Sequence, residues 1–185
     1  MQSELVDRAR RGDRDAFGVL AAGAVDRLYG IARLILRDSE LAQDATQEAL
    51  VRAWRDLPTL RDVERFDAWL YRLIVRASAD IGRHRRRWRN EVTVLANEPV
   101  EPDRVSALAD RDQIERGLRR LTDAQRTILT LTYYIGLSPS ETADALEIPV
   151  GTAKSRLHYA IEALRAVMAA DARSSVGAVR EGRMA

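Results

Sequence analysis

The chain has 185 residues, room for one domain or two small ones, and its 46% hydrophobic and 31% charged content is that of a globular protein. A net charge of only +2 makes no case for nucleic acid, so local charge distribution has to carry one. There is no Cys, which excludes disulfides, thiolate metal sites and a cysteine nucleophile and fits a reducing cytosol; no apolar run reaches membrane-spanning length, and the charged N-terminus is unlike a signal peptide.

Ala, Leu and Arg dominate over 10 Gly and 5 Pro, so the expected fold class is all-α. Lys154 is the only lysine, a skew that fits a GC-rich genome. Leu5, Ala9, Phe17 and Leu20 seed helical turns around Gly12 and Asp13, and an apolar-rich stretch follows through Leu28, Ile31, Ala32, Leu34 and Ile35. Asp38 and Ser39 cap a helix predicted over residues 40–55. Residues 57–62 read as a loop around Pro58. The next helix is predicted to start near Glu64 and to run into the arginines at 83–89, with Phe66, Trp69, Leu70, Leu73, Ile74, Ala77 and Ile81 on its apolar face.

Composition changes at Trp88. Glu91, Glu98, Glu101 and Asp103, with Pro99 and Pro102, read as an acidic, extended linker over 90–106. A second block follows, with a helix from about Leu108 to Leu121 and another over 122–135. Beyond Asp171 the small, polar, Gly-containing tail is expected to be disordered.

Between these lies a helix-turn-helix pattern. Ser138 is placed as N-cap, Pro139 at the first helical position and Glu141 as the far half of a capping box. Residues 147–151 are expected to break this helix, and Thr152 to begin the second. In that second helix Ala153, Leu157, Ala160, Ile161, Leu164, Val167 and Met168 form an apolar stripe. At about 100° per residue, Thr152, Ser155 and Tyr159 lie roughly opposite, flanked by Arg156 and His158. An apolar back with hydroxyl, guanidinium and imidazole groups in front suits the DNA major groove. Thr152 and Ser155 can bond phosphate or base edges, Arg156 can reach a guanine, and Lys154 a phosphate. An ordinary αα-hairpin with a solvated outer face is the plainer reading of the same pattern.

Two other surfaces stand out. On the helix over 40–55, Asp44, Gln47 and Glu48 share one face, while Ala45, Ala49, Leu50 and Ala53 share another. Arg65, Arg72, Arg76 and Arg83 fall on one stripe of the following helix, which ends in a dense arginine run with Trp88 inside it. Arginine stripes track phosphates and aromatic rings stack on unpaired bases. Trp54 and Trp69 sit on or beside apolar faces and are read as core. A solvated helix surface is the alternative for both stripes. There is no Gly-rich phosphate loop, no HExxH and no metal-ligand cluster, and His84 and His158 lie in basic or polar settings, so neither catalysis nor a cofactor or metal is expected.

Three segments resemble one family. Residues 41–55 (LAQDATQEALVRAWR) resemble the polymerase-binding helix of the extracytoplasmic-function class of bacterial RNA polymerase sigma factors. Residues 66–72 (FDAWLYR) resemble the start of that family's promoter-melting helix, and 148–158 (IPVGTAKSRLH) its −35 recognition helix. The resemblance spans roughly residues 3–168 with the motifs in family order. It implies two small helical domains joined by a flexible acidic linker: domain 2 over 1–89, a linker over 90–107, domain 4 over 108–170, and a tail over 171–185. Asp44, Gln47 and Glu48 would then dock on the clamp helices of the polymerase's largest subunit, with the flap a further contact. The loop at 56–65 and the arginines at 65, 72, 76 and 83 would capture and melt the −10 strand, with unstacking offset by pocket contacts. Thr152, Lys154, Ser155, Arg156, His158 and Tyr159 would read the −35 duplex. The linker would run through the channel otherwise taken by nascent RNA. The partners implied are core polymerase, promoter DNA and an anti-sigma factor, in the cytoplasm and without membrane insertion.

Three positions depart from the family pattern: Arg76 where Asn is frequent, Glu147 where Gly is frequent, and Tyr159 where Arg is frequent. Two other readings compete. A free-standing helix-turn-helix regulator leaves the N-terminal block unexplained, and a helical adaptor needs neither the arginine stripe nor the polar front of the second helix.

Overall fold

A computed structural model describes residues 2–92, 117, 118 and 120–181, and every regular element among them is helical. The expected linker beyond Val92 and most of the helix at 108–121 lie outside the described residues, as does the side chain of Trp88, while residues 90–92, expected in the linker, still continue the helix before it.

The N-terminal half is four helices, α1 (Gln2–Arg10), α2 (Arg14–Leu36), α3 (Ser39–Asp56) and α4 (Phe66–Val92). Local chemistry sets their ends. Asp13 accepts from the Ala16 N–H at 3.0 Å and starts α2. Arg37, in the left-handed region at φ 58°, closes α2, and Asp38 immediately accepts from the Leu41 N–H at 3.0 Å to open α3. Ala42, Ala45, Ala49 and Ala53 are fully buried along α3, and such small side chains let α2 and α4 approach it closely. Leu28 and Ile31 of α2 and Leu70 and Ile74 of α4 fill the centre. The expected apolar face of α4 is the observed one, with Ile81 half-buried at its edge. Trp69 is buried and Trp54 half-buried, its ring 5.1 Å from Phe17, so both belong to the core side as read from sequence. The segment between α3 and α4 is two short 3-10 turns, Leu57–Thr59 and Val63–Arg65, pinned by buried Leu57 and Leu60.

The C-terminal half begins with a full capping box. The Thr122 hydroxyl accepts from the Gln125 N–H at 3.3 Å, and the Gln125 side chain accepts from the Thr122 N–H at 2.9 Å. It opens α5 (Asp123–Leu129), which widens into a π turn over Thr130–Tyr134. Ser138 and Glu141 form the predicted box that starts α6 (Pro139–Leu146), and α7 (Val150–Glu181) crosses it. Leu121, Ile128, Leu129, Ala143, Ala153 and Ala160 make a second, smaller core.

Three expectations are corrected. The second helix of the helix-turn-helix starts at Val150 rather than Thr152, because the Pro149 carbonyl already accepts from the Ala153 N–H at 3.0 Å. Gly151 is therefore inside the first helical turn, and the reversal is made by Glu147 at φ 55°. The tail does not become irregular at 171: α7 runs on to Glu181, since Gly177 alone does not outweigh the surrounding helix-formers. Third, α4 starts at Phe66, so Arg65 belongs to the preceding 3-10 turn and not to the helix.

The two halves touch. α4 packs against α6, and α2 against α5 and the π turn. Ile135 and Leu137, beyond that turn, pack on the N-terminal core.

Candidate functional site

On α3, Asp44 and Gln47 are exposed, while the buried alanines anchor the opposite side. Glu48 is less free than the sequence implied. It is half-buried and accepts from Arg52 Nε at 2.7 Å, and Arg52 also reaches Asp80 of α4 at 2.9 Å. Hydrogen bonding to Glu48 and Asp80 raises the Arg52 pKa against the opposing effect of burial, so the cation is secured. Glu48 thus helps to fasten α3 to α4 and presents only part of its carboxylate outward.

The arginines of the second surface are not a bare solvated face. Arg72 is half-buried, and Arg76 and Arg83 are exposed. Arg83 pairs with Asp80 one turn earlier. Arg76 pairs with Glu147 of the helix-turn-helix, and Arg65 lies 3.9 Å from Asp144 of α6 and 3.8 Å from Asp62. Arg76 and Glu147, two of the positions that depart from the family pattern, meet in one ion pair. The Arg76 hydrogen bond, with help from the charges of Arg76 and Arg72, holds the Glu147 carboxyl below its ordinary range.

The start of α4 is tied down by pairings that local sequence does not reveal. Arg27 of α2 reaches Asp67 at 2.8 Å, with its guanidinium 5.3 Å from the centre of the Tyr71 ring. Ser3 donates to Glu64 at 2.6 Å. At the far end Arg85 pairs with Asp38, the α3 cap.

On α7, Ala153 and Ala160 are buried, and Leu157, Ile161 and Leu164 pack on the second core. The outer side carries exposed Lys154, Ser155, Arg156, His158 and Tyr159, with Thr152 half-buried. Lys154 is exposed although it adjoins buried Ala153. Ser155 donates back to the Thr152 carbonyl at 3.0 Å, and the His158 and Tyr159 rings meet edge-on at 5.7 Å. Tyr159 is 68% exposed, a large aromatic with no core role. The front is therefore a stack of donors on a rigid helix, the form that a major groove admits.

Sequence reasoning missed Arg126. It is buried, and its Nε donates to the Ile35 carbonyl at the end of α2 at 2.9 Å, while Nη1 donates to the Leu118 carbonyl at 3.3 Å. A lone arginine in a predicted helix gives no local signal for such a role. Among the described residues no group of His, Cys, Asp or Glu side chains could hold a metal ion, and no helix is long and apolar enough to cross a membrane.

Two family models match the chain: sigma-70 region 2 over residues 22–90 and sigma-70 region 4 over residues 117–166. The RNA polymerase sigma-H factor of Pseudomonas aeruginosa is 34% identical over 87% of this chain and 90% of its own length. The extracytoplasmic-function sigma factor SigW of Bacillus subtilis is 29% identical over 89% of this chain and 95% of its own. Among solved structures, CnrH in complex with the cytosolic domain of CnrY superposes with a TM-score of 0.67 at 27% identity, covering 92% of this chain and 98% of that one.

Proposed function

This chain belongs to the extracytoplasmic-function class of RNA polymerase sigma factors, DNA-binding proteins that direct promoter-specific transcription initiation, and from that premise we propose which of its residues carry each step. The proposal divides the chain into domain 2 over 1–89, a linker over 90–107 and domain 4 over 108–170. The 171–181 segment continues α7 and does not form a separate tail.

Asp44 and Gln47, with the outward part of Glu48, dock on the clamp helices of the largest polymerase subunit. Their exposure opposite a wall of buried alanines supports this. The 3-10 segment at 57–65 and Arg65, Arg72, Arg76 and Arg83 capture the unwound −10 strand and its phosphates. Thr152, Lys154, Ser155, Arg156, His158 and Tyr159 read the −35 duplex. The protein has no catalysis of its own, acts in the cytoplasm, and is held in reserve by an anti-sigma protein; the solved relative CnrH is itself bound to part of a second protein, CnrY.

The observation that carries the reading is the α7 front: five exposed polar or aromatic groups, with Thr152 half-buried beside them, on a helix anchored by Ala153 and Ala160, in the segment matched by region 4. Run-off transcription with purified core polymerase on genomic fragments, followed by start-site mapping, tests it. The expected result is initiation at discrete sites that share a −35 element only when the chain is present. Start sites identical with and without the chain would refute it. A free-standing regulator would instead bind its duplex site without polymerase.

A further inference from the structure

The second surface is paired against the third. Arg76 of α4 binds Glu147 at the turn of the helix-turn-helix, and Arg65 faces Asp144 one turn earlier on α6. Glu147 reaches this position in the left-handed region at φ 55°, a conformation in which a side-chain-bearing residue is uncommon and glycine is favoured. Behind the ion pairs the docking is close. A Cβ at Gly30, in the C-terminal third of α2, would meet the Tyr134 hydroxyl and lie 3.1 Å from its Cζ, so the phenol lies against bare helix backbone. Ile135 and Leu137 pack on the N-terminal core, and Arg126 holds the Ile35 carbonyl.

We propose that in the free chain Arg76–Glu147 and Arg65–Asp144 form an ionic clasp that folds the helix-turn-helix over the melting stripe, masking its arginines until polymerase or DNA competes for them. The masking half of this rests on the assignment of Arg65 and Arg76 to the −10 strand; the clasp itself does not. All four side chains are half-exposed or more, between 50% and 71%, so the pairs are weak and screened by salt. That is the strength a reversible device requires. A guanidinium held by a carboxylate cannot also pair with a phosphate, so opening and strand capture are coupled.

The chain has no Cys, so Ala22→Cys and Ala166→Cys, both at exposed positions, give a full-length protein that takes a donor and an acceptor dye only there. In the free chain, energy transfer should be high at low salt and fall as salt rises. Adding Asp144→Asn and Glu147→Gln should lower the transfer at low salt and flatten its salt dependence, with the circular-dichroism spectrum unchanged. Glu147→Arg should lower it further, and Glu147→Arg with Arg76→Glu should restore it. The same Asp144→Asn and Glu147→Gln chain, without polymerase, should bind a mixed-sequence single-stranded DNA roughly threefold to tenfold more tightly. A control with Asp26→Asn and Glu40→Gln, the same charge change at exposed sites on α2 and α3, should bind it less tightly than that. Wild-type transfer and salt response in the Asp144→Asn, Glu147→Gln chain would overturn the clasp. Lowered transfer with DNA affinity no higher than the control would overturn the masking, and would place the fault in the −10 assignment.

Discussion

The two halves of the molecule rest on unequal cores. Around Leu28, Ile31, Leu70 and Ile74 the N-terminal half buries large side chains from two long helices, α2 and α4, closed by the alanine wall of α3. The second described cluster has Leu121, Ile128 and Leu129 with three alanines. Burial stabilises in proportion to apolar area, about 25 cal/mol per Å², so the C-terminal half has less to hold it. It makes up part of the difference by docking: its π turn delivers Ile135 and Leu137 to the larger core. The half proposed to grip polymerase and melt DNA has the larger core, and the half proposed to read duplex DNA leans on it.

The sharpest way to break this comparison is through the cores. Leu28→Ala and Ile128→Ala, both at nearly inaccessible sites, should each cost about 2–5 kcal/mol. Their consequences should differ. Native-state hydrogen exchange should find Leu28→Ala loosening the whole chain, and Ile128→Ala releasing α5–α7 while α2–α4 stay protected. Equal loss of protection throughout in both variants would mean that the halves are one cooperative unit.

Arg126 probes the junction. Arg126→Ala leaves buried carbonyls of Ile35 and Leu121 without their donor and should cost about 1.5–3 kcal/mol in denaturant unfolding. Arg126→Lys should recover only part of this, because an ammonium lacks the planar fork that serves several carbonyls at once.

Much of this was legible in the sequence, and the reasons are local. Ser138 with Glu141 and Asp38 with Leu41 are caps whose chemistry lies within a turn, and the apolar face of α4 follows from spacing alone. The misreadings have equally physical origins. Pro149 reads as a helix breaker, yet its carbonyl serves as the first acceptor of α7. No glycine announces the left-handed turn at Glu147. Arg76 with Glu147, and Arg126 with Ile35, pair across long stretches of chain, where no periodicity carries information. The arginine stripe was visible as a stripe, but not the helix-turn-helix laid against it.

On the DNA-reading half, Arg156→Ala in holoenzyme should weaken promoter binding by about 1–3 kcal/mol and relax preference at one or two base pairs if it reads a base edge. Lys154→Ala should weaken binding evenly across sequences and reduce the salt slope by about one unit. Selection from randomised −35 elements separates the two. Tyr159→Arg should shift the selected sequence, and an unchanged selection would deny Tyr159 a base-reading role.

A smaller effect belongs to the N-terminal half alone. Burial pushes the Asp38 pKa up, but the Leu41 N–H and Arg85 outweigh it and the net shift is downward. A carboxylate with a lowered folded pKa stabilises fully above its unfolded value, about pH 4, and loses that contribution as pH falls through the folded value. Asp38→Ala should cost about 1 kcal/mol at neutral pH, and the difference from wild type should vanish in acid. A constant difference down to the acid end of a pH series of melting curves would remove the cap from the account.

The division of labour between the halves is tested most directly by co-purification of core polymerase with tagged full-length chains, one carrying Asp44→Arg and one carrying Arg156→Ala. The account predicts that Asp44→Arg, at an exposed site on α3, folds normally and loses core polymerase, while Arg156→Ala retains it at the wild-type level. Full recovery of core by the Asp44→Arg chain, or loss of core by the Arg156→Ala chain, would contradict it.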